Sequence, residues 1–130
     1  MKKPKKYGMI ESNNPMKNIN DLTKRIIAFR NARDWKQFHN PKDVALSLVL
    51  EATEVMEHFQ WKSKREMKKY VIEKKSEIGE ELADVLWWVL LMSYDLKIDV
   101  LNALEKKIKK NEDKYPVEKA KGKHTKYNKL

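Results

Sequence analysis

Apolar residues recur along this chain at spacings of three and four rather than two, the period of a helix with one buried stripe. Leu22, Ile26, Ile27 and Phe29 predict a first helix from about Asn20 to near Trp35. Asn40-Pro41-Lys42-Asp43 reads as a helix start, with asparagine at the cap and proline in the first turn. The second helix runs from there to about Phe59. Ser63-Lys64-Arg65-Glu66 has the capping-box spacing and opens a third helical segment, charged at first and strongly apolar from Ile78 to Leu96. Gly79 is expected to mark a bend or a close helix contact within it. Asp99 caps a fourth helix, Val100 to about Lys114, which Tyr115-Pro116 stops.

With three glycines, four prolines and no Asn-Gly hairpin dipeptide, the class is all-α, and four such helices predict a bundle. The third helix is apolar over more than one face and needs cover on several sides, so a homo-oligomer, dimer or tetramer, is expected. Residues 1–18 read as a loose basic arm, 19–116 as the helical domain, and 117–130 as a Lys-rich tail ordered only against a partner or ligand.

Composition narrows the function. A chain of 130 residues holds one domain with a modest core. The absence of cysteine excludes disulfides and thiolate zinc sites. The longest apolar run, Val85 to Met92, falls far short of the roughly 20 residues of a membrane helix. No apolar segment follows the basic MKKPKKYG, so no secretory signal is expected and the cytoplasm is the expected compartment. The net charge of +10, from 29 basic against 19 acidic residues, raises nucleic acid, acidic membranes and anionic small molecules as partners. Much of that excess lies in the first six residues and between Lys106 and Lys129, whereas the middle of the chain holds the acidic pairs. Basic ends around an acidic centre suit a nucleotide-and-metal site at least as well as a duplex-binding surface.

The acidic centre carries the chemistry. Glu51-x-x-Glu54 and Glu81-x-x-Asp84 lie inside apolar helical segments, LSLVLEATEVMEHF and EELADVLWWVLL. Residues three apart share a helix face, so each pair points two carboxylates in one direction. Ordinary surface acids have helical neighbours of opposite charge, yet no lysine or arginine lies within four positions of Glu51, Glu54 or Asp84. Buried acids need a partner, and two such pairs on packed helices repel unless a cation lies between them. A hard divalent ion such as Mg²⁺ suits oxygen ligands, with Mn²⁺ a possible substitute. The pattern points to metal-assisted chemistry on a phosphate-bearing substrate. Glu77 shares a face with Glu81 and Asp84 and is a candidate further ligand or water-orienting group; Glu80 lies off that face.

The string FRNARDWKQFHNPKDVALSLVLEATEVMEHFQW, followed by EIGEELADVLWWVLLMSYDLKIDV and KKIKKNEDKYPVEKAKG, resembles the MazG-like, all-α nucleotide pyrophosphohydrolases. It is most similar to the branch that contains the dCTP pyrophosphatases, and the likeness covers about residues 20–127. It implies cleavage between the α- and β-phosphates of a nucleoside triphosphate. Glu51, Glu54, Glu81 and Asp84 match the family's Mg²⁺ ligands and catalytic acids. Lys107, Asn111, Lys114 and Tyr115 match its Lys-x-x-x-Asn-x-x-Lys-Tyr element, which would serve a triphosphate. Trp35 and Trp61 match positions that sandwich a base, and His39 is expected at the base or sugar. At Trp88 the related enzymes more often carry tyrosine, which leaves exact substrate choice open at that substrate-binding position. Lys126-Tyr127 resembles a tail element that closes over ligand. Trp87 is expected in the core, and His58 as a partly buried surface histidine, with support of a ligand as the alternative.

Two other classes remain in view. A basic helical nucleic-acid module would bind through the Lys-rich ends, but the chain has no recognition-helix pattern or aromatic–basic strand pattern. An inactive interaction module would have no use for four unpaired carboxylates.

Overall fold

The computed structural model describes residues 18–130, and the expected basic arm, apart from Asn18, lies outside them. Every regular element among the described residues is a helix: α1 (Ile19–Ala32), α2 (Pro41–Glu57), α3 (Lys64–Glu73), α4 (Lys75–Asp95), α5 (Val100–Lys114) and the single turn α6 (Val117–Ala120). Short 3-10 turns cover Lys36–Phe38 and Tyr127–Lys129. The all-α expectation holds. No described helix is long and apolar enough to cross a membrane.

The helix starts follow from local chemistry. Asn18 and Asn40 accept the backbone N–H groups of Asp21 and Asp43 at 2.8 and 3.0 Å, and Asp99 accepts that of Asn102 at 3.0 Å. Ser63 and Glu66 close a reciprocal capping box at the start of α3.

One boundary differs from expectation. The third helical segment is two helices, because Lys74 leaves helical geometry (φ −111°, ψ 23°) and α4 starts at the next residue. In the last turns of α3, Tyr70 lies 2.6 Å from His58 at the end of α2 and meets Phe59 edge-on with ring centres 6.2 Å apart. Gly79 marks neither a bend nor a close contact, since it sits inside α4 and a Cβ there would meet nothing within 4 Å.

The described residues fall into two compact units, one ending at Met92 and the other comprising Ser93–Leu130. In the first, Ile26 and Ile27 of α1, Val44 of α2, and Leu90 and Leu91 of α4 form the buried core, together with the Arg30 side chain. Leu46, Val49, Leu50 and Met56 of α2 and Leu82 and Leu86 of α4 remain exposed. In the second unit, α5 carries an exposed Lys-rich surface. The tail forms the turn α6 and the 3-10 turn Tyr127–Lys129. Tyr127 packs edge-on against Tyr115 with ring centres 6.0 Å apart, and the Lys114 ammonium sits 4.6 Å above the Tyr127 ring.

Two substitutions test this account by urea denaturation. Leu91→Ala, at a site with no exposure, should lose about 2–5 kcal/mol through the cavity it leaves. Gly79→Ala should gain about 0.5–1 kcal/mol, because alanine lowers the backbone entropy cost at an open helical position.

Candidate metal centre

The two acidic pairs converge. Glu51 and Glu54 on α2 and Glu81 and Asp84 on α4 each offer a carboxylate oxygen, and these four oxygens lie within 4.8 Å of one another. The three-residue spacing in each helix aims both acids of a pair the same way, and the two helices bring the pairs together. Glu51 and Glu81 are half-buried, whereas Glu54 and Asp84 are exposed. Oε2 of Glu81 is shielded from water yet has no hydrogen-bond partner.

Their protonation reflects this crowding. A hydrogen bond with Glu54, then burial, then the charges on Glu54, Asp84 and Glu51 push the Glu81 carboxyl up to about 7. Glu51 is raised as well, by burial first and then by the charges on Glu54 and Asp84, against a hydrogen bond from Trp88 that favours its ionised form. An all-oxygen donor set, clustered and unable to ionise fully by itself, fits a hard divalent cation. Glu77 is not in the cluster; it pairs with Lys74 at 3.7 Å on the surface.

A cavity of about 260 Å³ opens beside Glu51 and Asp84. Its other walls are largely aromatic: Phe29, Trp35, His39, Trp87 and Trp88. Trp35 and Trp87 each meet Phe29 edge-on, at 5.8 and 5.3 Å between ring centres, and His39 meets Trp88 at 5.5 Å. The 3-10 turn after Trp35 places that tryptophan and His39 on one cavity. Three of the sequence-predicted substrate residues, Trp35, His39 and Trp88, are therefore assembled next to the acids. Trp87, expected in the core, is half-buried and lines the cavity. Trp61 is not among the lining residues; it is 91% exposed and holds a left-handed backbone (φ 69°), unusual for a bulky side chain. Lys107, Asn111 and Lys114 lie along α5 and Tyr115 caps it, all within the second unit.

Sequence reasoning missed two groups here. Arg30, 1% exposed, borders the aromatic cavity. Its signal was present: it continues the stripe of Ile26 and Ile27 at helical spacing, where a charged residue is out of place. Tyr70, the partner of His58, gave no signal at all, since twelve residues separate them.

Fold and centre together define an all-helical protein that gathers four acids beside an aromatic cavity. The MazG-like family model matches residues 46–130, and the chain belongs to that family. The rat (Rattus norvegicus) dCTP pyrophosphatase 1 is 33% identical over 118 residues, which is 89% of this chain and 69% of the rat protein. The human (Homo sapiens) dCTP pyrophosphatase 1 is 31% identical over the same shares of each chain. A pyrophosphatase of known crystal structure from Archaeoglobus fulgidus superposes with a TM-score of 0.72 at 36% identity, covering 75% of this chain and 92% of its own.

The raised carboxyls give a pH prediction. Glu81 binds its proton more tightly in the folded chain than in the unfolded one, so the metal-free fold loses stability as pH rises from about 4.5 through about 7. Added Mg²⁺ competes with that proton. It should therefore raise Tm more at pH 8 than at pH 5, and its binding near pH 6.5 should release protons measurable in weakly buffered solution.

Proposed function

We propose that this chain is a Mg²⁺-dependent nucleoside triphosphate pyrophosphohydrolase that favours cytosine deoxynucleotides and acts on the cytoplasmic nucleotide pool. Water adds across the α–β phosphoanhydride, giving a nucleoside monophosphate, pyrophosphate and a proton. The observation that carries this reading is the acidic quartet set directly beside an aromatic cavity. The pyrophosphatase names of the relatives support the reaction, and the dCTP in the names of the rat and human proteins supports the base.

Glu51, Glu54, Glu81 and Asp84 hold the metal. When bound, Mg²⁺ supplies positive charge to phosphate oxygens and lowers the pKa of a coordinated water. The aromatic walls accept the base: Trp35 and Trp88 offer ring faces for stacking, and His39 a polar edge to the base or sugar. Trp88 also restrains Glu51 through its indole N–H, so the wall of the cavity and a metal ligand are mechanically linked. In the second unit Lys107, Asn111 and Lys114, at i, i+4 and i+7 of α5, with the neighbouring Tyr115, provide ammonium, amide and hydroxyl donors for a triphosphate. The exposed apolar surface of α2 and α4, with Trp61 beyond the end of α2, is covered by another copy in a homo-oligomer.

Incubation with each dNTP and NTP, followed by anion-exchange separation, checks the reaction. Monophosphate and pyrophosphate should form with Mg²⁺ and not with EDTA, fastest from dCTP. Glu54→Gln should lower kcat by about 100-fold or more, at least the loss seen when a group supporting a metal ligand is removed. A diphosphate plus orthophosphate would refute the bond assignment. Nucleic-acid binding that falls steeply with salt and ignores Mg²⁺, with no turnover, would replace the enzyme reading by a basic binding module.

A further inference from the structure

The quartet stands between two unlike cavities of the first unit. Glu51 and Asp84 border the aromatic one, whereas Glu54 and Glu81 border a second cavity of about 340 Å³ completed by Glu57, His58 and Tyr70. His58 and Tyr70 belong to no step described so far, yet they form a defined pair: Nδ1 of His58 lies 2.6 Å from the Tyr70 hydroxyl. The Lys62 ammonium sits 4.1 Å above the Tyr70 ring and brings a positive charge to the same corner.

We propose that His58, oriented by Tyr70, holds the diphosphate portion of the nucleotide in this polar cavity while the nucleoside occupies the aromatic one. The inference rests on the pyrophosphohydrolase reading and adds a direction and a residue to it. A nucleoside triphosphate is aromatic at one end and anionic at the other, and the bond to be cut must lie at the acidic quartet. The two ends therefore leave the quartet on different sides. The chain offers an aromatic hole on the side of Glu51 and Asp84, and a polar one on the side of Glu54 and Glu81.

Phosphate oxygens need donors, and an ionised carboxylate has none to give. Among the described residues lining the polar cavity, only His58 and Tyr70 have side-chain donors once the carboxylates are ionised. The Tyr70 hydroxyl occupies Nδ1, so Nε2 is the ring atom left for a ligand, and it donates when the imidazole proton sits there. Tyr70 thus acts as a positioning residue that fixes the ring plane. The carboxylates would not bar the anion, because Glu54 and Glu81 would hold the cation, whose positive charge would offset theirs and that of the diphosphate. Tyr70 stands on α3, the helix that ends before Lys74, and meets His58 just past the end of α2.

Calorimetric titration of the full-length chain with inorganic pyrophosphate in Mg²⁺, alongside dCMP and Mn²⁺ titrations, tests the proposal. His58→Leu should weaken pyrophosphate binding about tenfold, the loss expected for one hydrogen bond to a charged ligand, and leave dCMP and Mn²⁺ affinities unchanged. His58→Gln, which keeps an N–H, should recover most of the affinity. Tyr70→Phe should fall between the two, since the histidine remains but is no longer oriented. Unchanged pyrophosphate affinity in His58→Leu, with dCTP still hydrolysed by the unaltered chain, overturns this proposal alone. Equal losses for pyrophosphate, dCMP and Mn²⁺ overturn it in favour of a purely structural pair. Failure of the unaltered chain to hydrolyse any nucleotide overturns the functional reading, and this inference with it.

Discussion

Holding four carboxylates within 4.8 Å of one another is the constraint around which the first unit is built. Like charges at that spacing repel strongly wherever water is partly excluded. The crowding adds to a hydrogen bond with Glu54 and to burial in raising the Glu81 carboxyl, and adds to burial in raising that of Glu51. The strain is tolerable because the acids stand on helices rather than loops. Asn40 caps α2, and buried Leu90 and Leu91 anchor α4, so the faces that carry the acids have little freedom to turn away.

The same two helices also sort the surroundings of the centre by polarity. Upstream residues from the end of α1 and the following 3-10 turn bring Phe29, Trp35 and His39 to one side. The end of α2 and the returning α3 bring His58 and Tyr70 to the other. A substrate with an aromatic head and an anionic tail matches that asymmetry, and a substrate lacking either end would leave one cavity unused. Trp88 links the cavity to the acidic quartet, since it walls the aromatic cavity and also hydrogen-bonds Glu51.

Much of this could be read from the chain alone, for identifiable reasons. Helix starts at Asn40, Ser63 and Asp99 depend on residues three positions apart, and α5 came out at its expected bounds because its cap and its Tyr-Pro stop are both local. The acidic pairs were legible because a carboxylate inside an apolar run breaks the helical pattern. Gly79 misled for the complementary reason: glycine permits a bend but does not require one, and here α4 passes straight through it. The break fell instead at Lys74, where no residue type announces it.

By itself, then, the sequence determined the helical class, the capped starts, and the two acidic pairs with the direction each faces along its own helix. Those properties arise from neighbours within one turn, and the chain carries them wherever the helix is placed. Only the tertiary structure decided that the pairs meet, that Trp35 and His39 close a cavity beside them while Trp61 stands in solvent, and that Tyr70 turns back to His58. Such contacts depend on how helices far apart in the chain pack, and side-chain burial and pairing across that distance leave no period in the sequence to read.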